Sequence, residues 1–236
     1  MFKKALVILT LSSVVAVPNL AATAQGAALP LQGKTTPYVT SDIQKDWKKK
    51  DAPTSKNKAF GEEIWVMLGS PIPSGWVVVR SSGNMNLIKN LNNAPSGYEV
   101  WVMLGSPIPT GWVITRSSGN MNFIRNLNNA PSGYEVWVML GSPIPTGWVI
   151  TRSSGNMNFI RNLNNAPSGY EVWVMLGSPI PDGWVITRSS GDMNFIRNLN
   201  NAPSGQEVWV MLGSPIPDGW TIIRSTGTMN LIRHIG

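Results

Sequence analysis

Cysteine is absent from the sequence and histidine occurs once, and both features narrow the chemistry open to the chain. Without cysteine there is no disulfide, no thiol nucleophile and no Cys-ligated metal site. A Ser-His-Asp system would have to be built around His234. No group of His, Asp and Glu has the spacing of metal ligands, and no glycine-rich segment follows a phosphate-binding pattern. We therefore expect a protein that is not an enzyme and that needs no metal or cofactor.

Charged residues are also scarce, at 13% of the chain against 42% hydrophobic residues. Residues 25–61 hold seven Lys and three Asp, a net charge of +4, whereas residues 62–236 hold ten basic and nine acidic residues, a net charge of +1. Nucleic-acid binding by residues 62–236 is not expected, because it needs a basic face. The basic segment is interpreted as a solvated linker, with attraction to an acidic cell surface or anionic polymer as the alternative.

Long hydrophobic runs are missing after the first two dozen residues. Lys3 and Lys4 precede an apolar stretch at residues 5–17, and small residues follow at 22–24. This order is typical of a secretory signal, and the stretch is shorter than the roughly 20 residues that span a bilayer. We expect residues 1–24 to be a cleaved signal peptide, residues 25–61 a flexible Lys-rich linker, and the protein to be periplasmic or extracellular with no transmembrane segment.

What the sequence does contain is a tandem repeat, with a tryptophan recurring every 36 residues from Trp65 to Trp209. The second and third units are identical, and the fourth differs from them only at Asp182 and Asp192. Such self-similarity is the signature of a repeat architecture. The predicted five-unit domain, 62–236, consists of units 62–97, 98–133, 134–169, 170–205 and 206–236.

Each unit contains three apolar stretches between turn clusters rich in Gly, Pro, Ser and Asn. In the second unit these stretches are 99–104, 112–115 and 121–127. They are short and rich in β-branched and aromatic residues, which favours strands over helices. The first stretch is apolar on both faces, so we expect it to be the central strand of each unit and the more amphipathic third stretch to be peripheral.

Two all-β architectures satisfy this pattern: an open, solenoid-like array and a closed five-bladed β-propeller. Leu87 and Leu231 in the end units replace the phenylalanines of the inner units, Phe123, Phe159 and Phe195. Atypical terminal repeats are expected of an open stack, whose ends lack a neighbour. The open array is therefore the preferred prediction, with the propeller as the alternative.

Ten tryptophans in two sets are the strongest candidate functional residues. The first set is flanked by apolar residues and is predicted to be core: Trp65, Trp101, Trp137, Trp173 and Trp209. The second set follows a Pro-x-Gly turn and is either a packing wedge or a ligand-binding set, because tryptophan stacks on sugar rings and anchors interfaces; it comprises Trp76, Trp112, Trp148, Trp184 and Trp220. Even spacing places an arginine on the same face as each second-set tryptophan. These predicted ligand-binding arginines are Arg80, Arg116, Arg152, Arg188 and Arg224.

Recurring acids and amides have a structural and a functional interpretation each. One glutamate recurs per unit, as at Glu99 and Glu135, and we expect it to pair with an arginine such as Arg116 or Arg125. The enzymatic alternative is glycoside hydrolysis, which would require glutamates of neighbouring units to face each other. The repeated asparagines are expected to form amide ladders or to hydrogen-bond sugars.

The Pro-x-Pro-x-Gly-Trp segment at residues 107–112 resembles turns in phage tail collar proteins, and no role is carried over from these six residues. The sequence predicts a secreted, non-enzymatic, adhesin- or lectin-like repeat protein that makes multivalent contacts with a polysaccharide or cell surface. Self-assembly into a structural element of the cell envelope or extracellular matrix is the alternative, and a glycan-active enzyme is the third.

Overall fold

A computed structural model describes residues 59–236, and the predicted signal peptide and nearly all of the predicted linker lie outside this range. The described residues form five three-stranded antiparallel sheets and contain no helix. This confirms the all-β repeat array. The strands are β1 Glu63–Met67, β2 Trp76–Ser82, β3 Met85–Asn90, β4 Glu99–Met103, β5 Trp112–Ser118, β6 Met121–Asn126, β7 Glu135–Met139, β8 Trp148–Ser154, β9 Met157–Asn162, β10 Glu171–Met175, β11 Trp184–Ser190, β12 Met193–Asn198, β13 Glu207–Met211, β14 Trp220–Thr226 and β15 Met229–His234.

The order of strands within each sheet is first, third, second, so the third strand is central. The prediction that the first strand is central was therefore wrong. A tight turn at Gly119 joins β5 to β6 as a hairpin, and β4 pairs with the free edge of β6. The first strand is left with one hydrogen-bonded neighbour, although both of its faces are apolar.

The central strand accommodates its polar residues because its buried amides have partners inside the protein. Asn122 accepts a hydrogen bond from Ser117 Oγ at 2.7 Å. The Asn126 Nδ2 donates to the carbonyl oxygens of Ala94 and Pro95 at 2.9 and 3.1 Å. A buried amide with partners avoids the desolvation cost that would otherwise place it at the surface. Polarity in this strand therefore did not indicate exposure.

Each sheet has two faces, which the register defines. In the second unit Val100, Ile124 and Ile114 lie opposite one another on what we call the core face. Trp101 and Phe123 are paired on the other, which we call the open face. The core face is continued by the buried residues Val102, Trp112 and Asn126.

Successive units pack the core face of one sheet against the second strand of the preceding sheet. Val113 of the second unit is fully buried in a cluster with Val138, Trp148 and Ile160 of the third. At the same junction the Ile114 N–H donates to Ser142 Oγ at 2.8 Å. The equivalent bond recurs at the other three junctions, to Ser106, Ser178 and Ser214. Packing between units therefore completes cores that one sheet alone would leave open.

The array is open rather than closed, as the sequence indicated. Second and first strands of neighbouring units contact each other at all four junctions, whereas β14 and β1 make no such contact. In the last unit Thr221 stands where the other units have a fully buried valine, and Ile222 is 47% exposed. The five-bladed propeller is thus not formed by the described strands.

The first unit is extended by residues just before β1. The Gly61 N–H donates to the carbonyl oxygen of Asn90 at 2.9 Å, and Asn90 Nδ2 donates to that of Ala59 at 3.1 Å. Phe60 contacts Tyr98 edge to face, with ring centroids 5.0 Å apart. Residues 59–61, assigned to the linker by composition, therefore pack on the array.

Candidate functional site

The second tryptophan set is buried, as the packing-wedge interpretation predicts, and this burial does not fit the alternative interpretation as a ligand-binding set. Trp76, Trp112, Trp148, Trp184 and Trp220 are at most 8% exposed. Trp112 belongs to the core face and packs in one cluster with Ile124 of its own sheet and Val77 of the preceding one. Its ring also contacts Tyr98 edge to face at 6.3 Å. A ring enclosed in this way has no free face for a ligand.

The first tryptophan set is the exposed one, so its assignment to the core was wrong. Trp65, Trp101, Trp137, Trp173 and Trp209 are 37–47% exposed. The cause is the strand order: the first strand is a sheet edge, and the next unit covers the open face beside the second strand instead. The apolar residues on one side of this strand therefore belong to the core face, whereas those on its other side belong to the open face and remain exposed.

A β-bulge in the second strand decides where the arginine points. Ile114 pairs with Ile124 and Arg116 pairs with Phe123, so Thr115 is the extra residue between them. Its hydroxyl donates to the carbonyl oxygen of Phe123 at 3.3 Å. An extra residue reverses the alternation of side chains. Arg116 consequently lies on the open face, and the prediction that it shares a face with Trp112 was wrong.

The bulge assembles an exposed Trp–Phe–Arg cluster in each inner unit. Arg116 Cζ lies 4.3 Å from the ring centroid of Phe123 and 5.9 Å from that of Trp101. The Trp101 and Phe123 rings are tilted by 45° with centroids 4.9 Å apart. These are distances of cation–π and aromatic contact, so the three side chains hold one another in place.

The cluster recurs with nearly the same geometry in the third and fourth units. The Arg–Phe distance is 4.2 Å and the Arg–Trp distance 5.9 Å in both. The clusters consist of Trp137, Phe159 and Arg152, and of Trp173, Phe195 and Arg188. The end units retain the tryptophan and arginine but place Leu87 or Leu231 opposite them. Three full and two partial clusters thus repeat along the open face.

The recurring glutamates are engaged with the other basic residue of each unit. Glu99 Oε1 lies 3.7 Å from Arg125 Nη1, and the corresponding pairs bridge at all five positions. The predicted pairing of the recurring glutamate with Arg125 is confirmed. In the first unit partial burial lowers the pKa of Lys89, but the hydrogen bond to Glu63 and the charges of Tyr98 and Glu63 outweigh it and raise that pKa above its usual value.

The arginines of the clusters have no such partner. Within residues 59–236, neither an ion pair nor a hydrogen bond is formed by the guanidinium of Arg116 or its equivalents. Arg125, by contrast, pairs with Glu99 and lies 5.8 Å from the Tyr134 ring of the next unit. Each unit therefore presents one compensated and one uncompensated cation on its open face.

The asparagines serve mainly local hydrogen bonding. Asn126 Oδ1 accepts from the backbone N–H of Asn128, whose Nδ2 donates to the carbonyl oxygen of Thr110. No hydrogen bond joins asparagine side chains of different units within the described residues, so the expected amide ladders are not formed there. An asparagine-rich cleft of 330 Å³ lies between the first two units, and it is lined in part by Asn93 and Asn129.

A second exposed apolar feature accompanies the clusters. The leucine that follows each first strand is 64–66% exposed. These residues are Leu68, Leu104, Leu140, Leu176 and Leu212. Their row gives the array a repeated apolar surface outside the Trp–Phe–Arg clusters.

Comparison with protein-family models, curated proteins and solved structures finds no match for this chain. Within residues 59–236, no helix reaches the length and hydropathy that crossing a membrane requires. The same residues contain no group of three or more His, Asp and Glu side chains placed to hold a metal ion. The candidate site that the geometry itself singles out is the set of Trp–Phe–Arg clusters on the open face.

Proposed function

We propose that the protein is an exported, non-enzymatic binding protein whose open face makes multivalent contacts with a polysaccharide. The observation that carries this is the Trp–Phe–Arg cluster, which presents a 37–38% exposed tryptophan ring in the same setting three times. An exposed indole ring offers a flat apolar surface for a sugar ring. Its neighbouring arginine supplies N–H donors for hydroxyl or acidic groups.

Repetition suits a polymeric target. Several weak sites on one scaffold bind a repetitive ligand more tightly than one site, by about 10²–10⁴-fold where the geometry allows simultaneous contact. The inner clusters are chemically and geometrically equivalent, so each offers the same contact to successive parts of a chain. Near-identical units thereby acquire a use beyond stability.

A matched pair of double variants tests the proposal. W137A/W173A removes two exposed rings, whereas the control L140A/L176A removes two exposed apolar side chains outside the clusters. We expect the tryptophan variant to lose binding to immobilised cell-wall polysaccharides by about tenfold or more and the leucine variant to retain it. Retained binding by W137A/W173A in a monodisperse, folded sample would refute the role of the open face.

Self-assembly is the second candidate, and the exposed leucine row is the observation that favours it. A repeated apolar surface on a soluble protein is a common interface with another copy. Sedimentation velocity at rising concentration distinguishes the candidates. Association that L140A/L176A abolishes supports assembly, whereas a constant monomer at all concentrations argues against it.

A further inference from the structure

The cluster arginines carry a charge that the protein itself does not compensate. Each unit has two basic side chains on the open face, and only one of them faces a carboxylate. The side chain of Arg116 is exposed, and within residues 59–236 its guanidinium has no ion-pair partner. Five such cations recur, at Arg80, Arg116, Arg152, Arg188 and Arg224.

The guanidinium is positioned rather than free. The Phe123 ring occupies one side of the Arg116 guanidinium at 4.3 Å, and Trp101 lies at 5.9 Å. Stacking restricts a side chain that would otherwise lose much conformational entropy on binding. The planar fork of an arginine suits a carboxylate, which it can bind through two parallel hydrogen bonds.

We propose that the ligand of the three Trp–Phe–Arg clusters of the inner units is an acidic polysaccharide that carries carboxylates, that is, a polymer of uronic acids. This inference rests on the proposed function. The apolar face of a uronic-acid ring would lie on the Trp101 indole while its carboxylate faces Arg116. Arg116 Cζ lies 5.9 Å from the centroid of the Trp101 ring, so one ligand residue can contact both side chains.

Single-stranded nucleic acid also combines stacking with negative charge, and the structure favours it less. Binding such a strand requires a continuous basic groove along its backbone. On the open face the row of clusters is flanked by Glu99 and its equivalents, and residues 62–236 carry a net charge of only +1. The uncompensated cations are separate, one per unit, and do not form such a continuous groove.

The decisive comparison uses one polymer in two charge states. Polygalacturonate and its fully methyl-esterified form share a backbone, but esterification removes the carboxylate charge. We expect the protein to bind polygalacturonate at least about tenfold more tightly than the ester, by titration calorimetry. The advantage should shrink as sodium chloride is raised, because added salt screens charge pairs. Alginate and hyaluronate extend the test to other uronate linkages.

Two double variants with the same change in net charge locate the effect. R116Q/R152Q removes two arginines stacked on phenylalanine, whereas R80Q/R224Q removes two that face leucine in the end units. We expect R116Q/R152Q to lose most of the preference for polygalacturonate and R80Q/R224Q to retain most of it. R116K/R152K keeps the charge without the planar fork and should fall between them. Thermal denaturation verifies that all three are folded.

Each contrary outcome overturns a different part of the proposal. Equal affinity for polygalacturonate and its ester removes the charge inference and leaves polysaccharide binding intact. No binding to any uronate polymer or neutral glycan removes the proposed function together with the inference. Equal losses in R116Q/R152Q and R80Q/R224Q would assign the effect to net charge rather than to the clusters. Single-stranded DNA that competes as strongly as polygalacturonate would reject selection of a polysaccharide.

Discussion

Trp112 and Arg116 lie on opposite faces of the same strand, although four residues separate them. Trp112 pairs with Asn126 and Arg116 with Phe123, and these two partners are an odd number of residues apart on the central strand. The bulge at Thr115 causes the reversal. It sends the tryptophan into the core and the arginine to the exposed cluster, so one irregular residue separates the stabilising from the candidate binding side chain.

The two tryptophan sets should differ sharply in their contribution to stability. Trp148→Ala would leave a large cavity beside Val113 and Ile160, and we expect it to lower the free energy of unfolding by about 3–5 kcal/mol. Trp137→Ala at the open face should cost less than half as much, because its ring is 38% exposed. Urea denaturation followed by circular dichroism measures both. Equal costs would contradict the assignment of faces.

Iodide quenching should divide the tryptophan fluorescence into accessible and inaccessible fractions. The open-face tryptophans of the inner units are accessible and lie beside an arginine that attracts the anion. We expect W101F/W137F/W173F to remove a large part of the quenchable emission, with Trp65 and Trp209 still quenchable, and Trp148→Phe to remove almost none. The reverse result would contradict the assignment of the second tryptophan set to the core face and of the first set to the open face.

The serine at each junction should stabilise the contact between units. Ser142→Ala would leave the Ile114 N–H without its acceptor, and we expect a loss of about 1–3 kcal/mol in unfolding free energy. Ser70 is the matched control, because no described unit precedes it to donate a strand N–H. Ser70→Ala should therefore change stability by less than about 0.5 kcal/mol. Comparable losses would show that the hydroxyl acts within its own turn.

Alanine substitutions at two glycines with similar φ angles should distinguish the cost of backbone strain from the cost of a steric clash. Gly105 has φ +85° and open space around its Cα, whereas a Cβ at Gly111, with φ +81°, would lie 1.9 Å from Asn128 Oδ1. Both alanine variants incur the cost of positive φ, about 1–2 kcal/mol. Gly111→Ala must also displace Asn128 from its bond to Thr110, so it should cost at least about 1 kcal/mol more. Thermal denaturation of the pair decides this.

The recurring glutamates should prove dispensable for stability and binding. Glu135 and Glu171 form exposed ion pairs with Arg161 and Arg197, and such pairs contribute about 0–1 kcal/mol each. We expect E135Q/E171Q to bind polysaccharide as the unchanged protein does and neither protein to release reducing sugars. Sugar release that is lost in E135Q/E171Q would instead support the glycan-active enzyme.

Pattern and spacing in the sequence were enough for the repeat architecture. The period of 36 residues, the three strands per unit and the open array are all confirmed by the sheets. Turn positions followed from Gly and Pro, whose backbone preferences are local. Pairing of Glu99 with Arg125 was also among the expected ion pairs, because few opposite charges compete within a unit.

The strand order and the exposure of each tryptophan could not be obtained in that way. The apolar pattern of the first strand is the same whether its second face is covered or open, and the structure leaves Trp101 37% exposed there. Asn122 and Asn126 suggested a peripheral third strand, yet both are buried, and their hydrogen-bond partners come from Ser117 and from the turn at Ala94 and Pro95. Those partners are identifiable only after the chain has folded.

The sequence by itself determined a β-rich tandem array and restricted its chemistry, because a repeat period, turn residues and missing residue types are properties of the chain. The tertiary structure alone decided that Trp101, Phe123 and Arg116 meet on an exposed face. That meeting depends on a bulge at Thr115 and on an offset between units that covers Val113 but not Trp101. Both are consequences of pairing and packing between distant segments, which regular alternation along a strand does not encode.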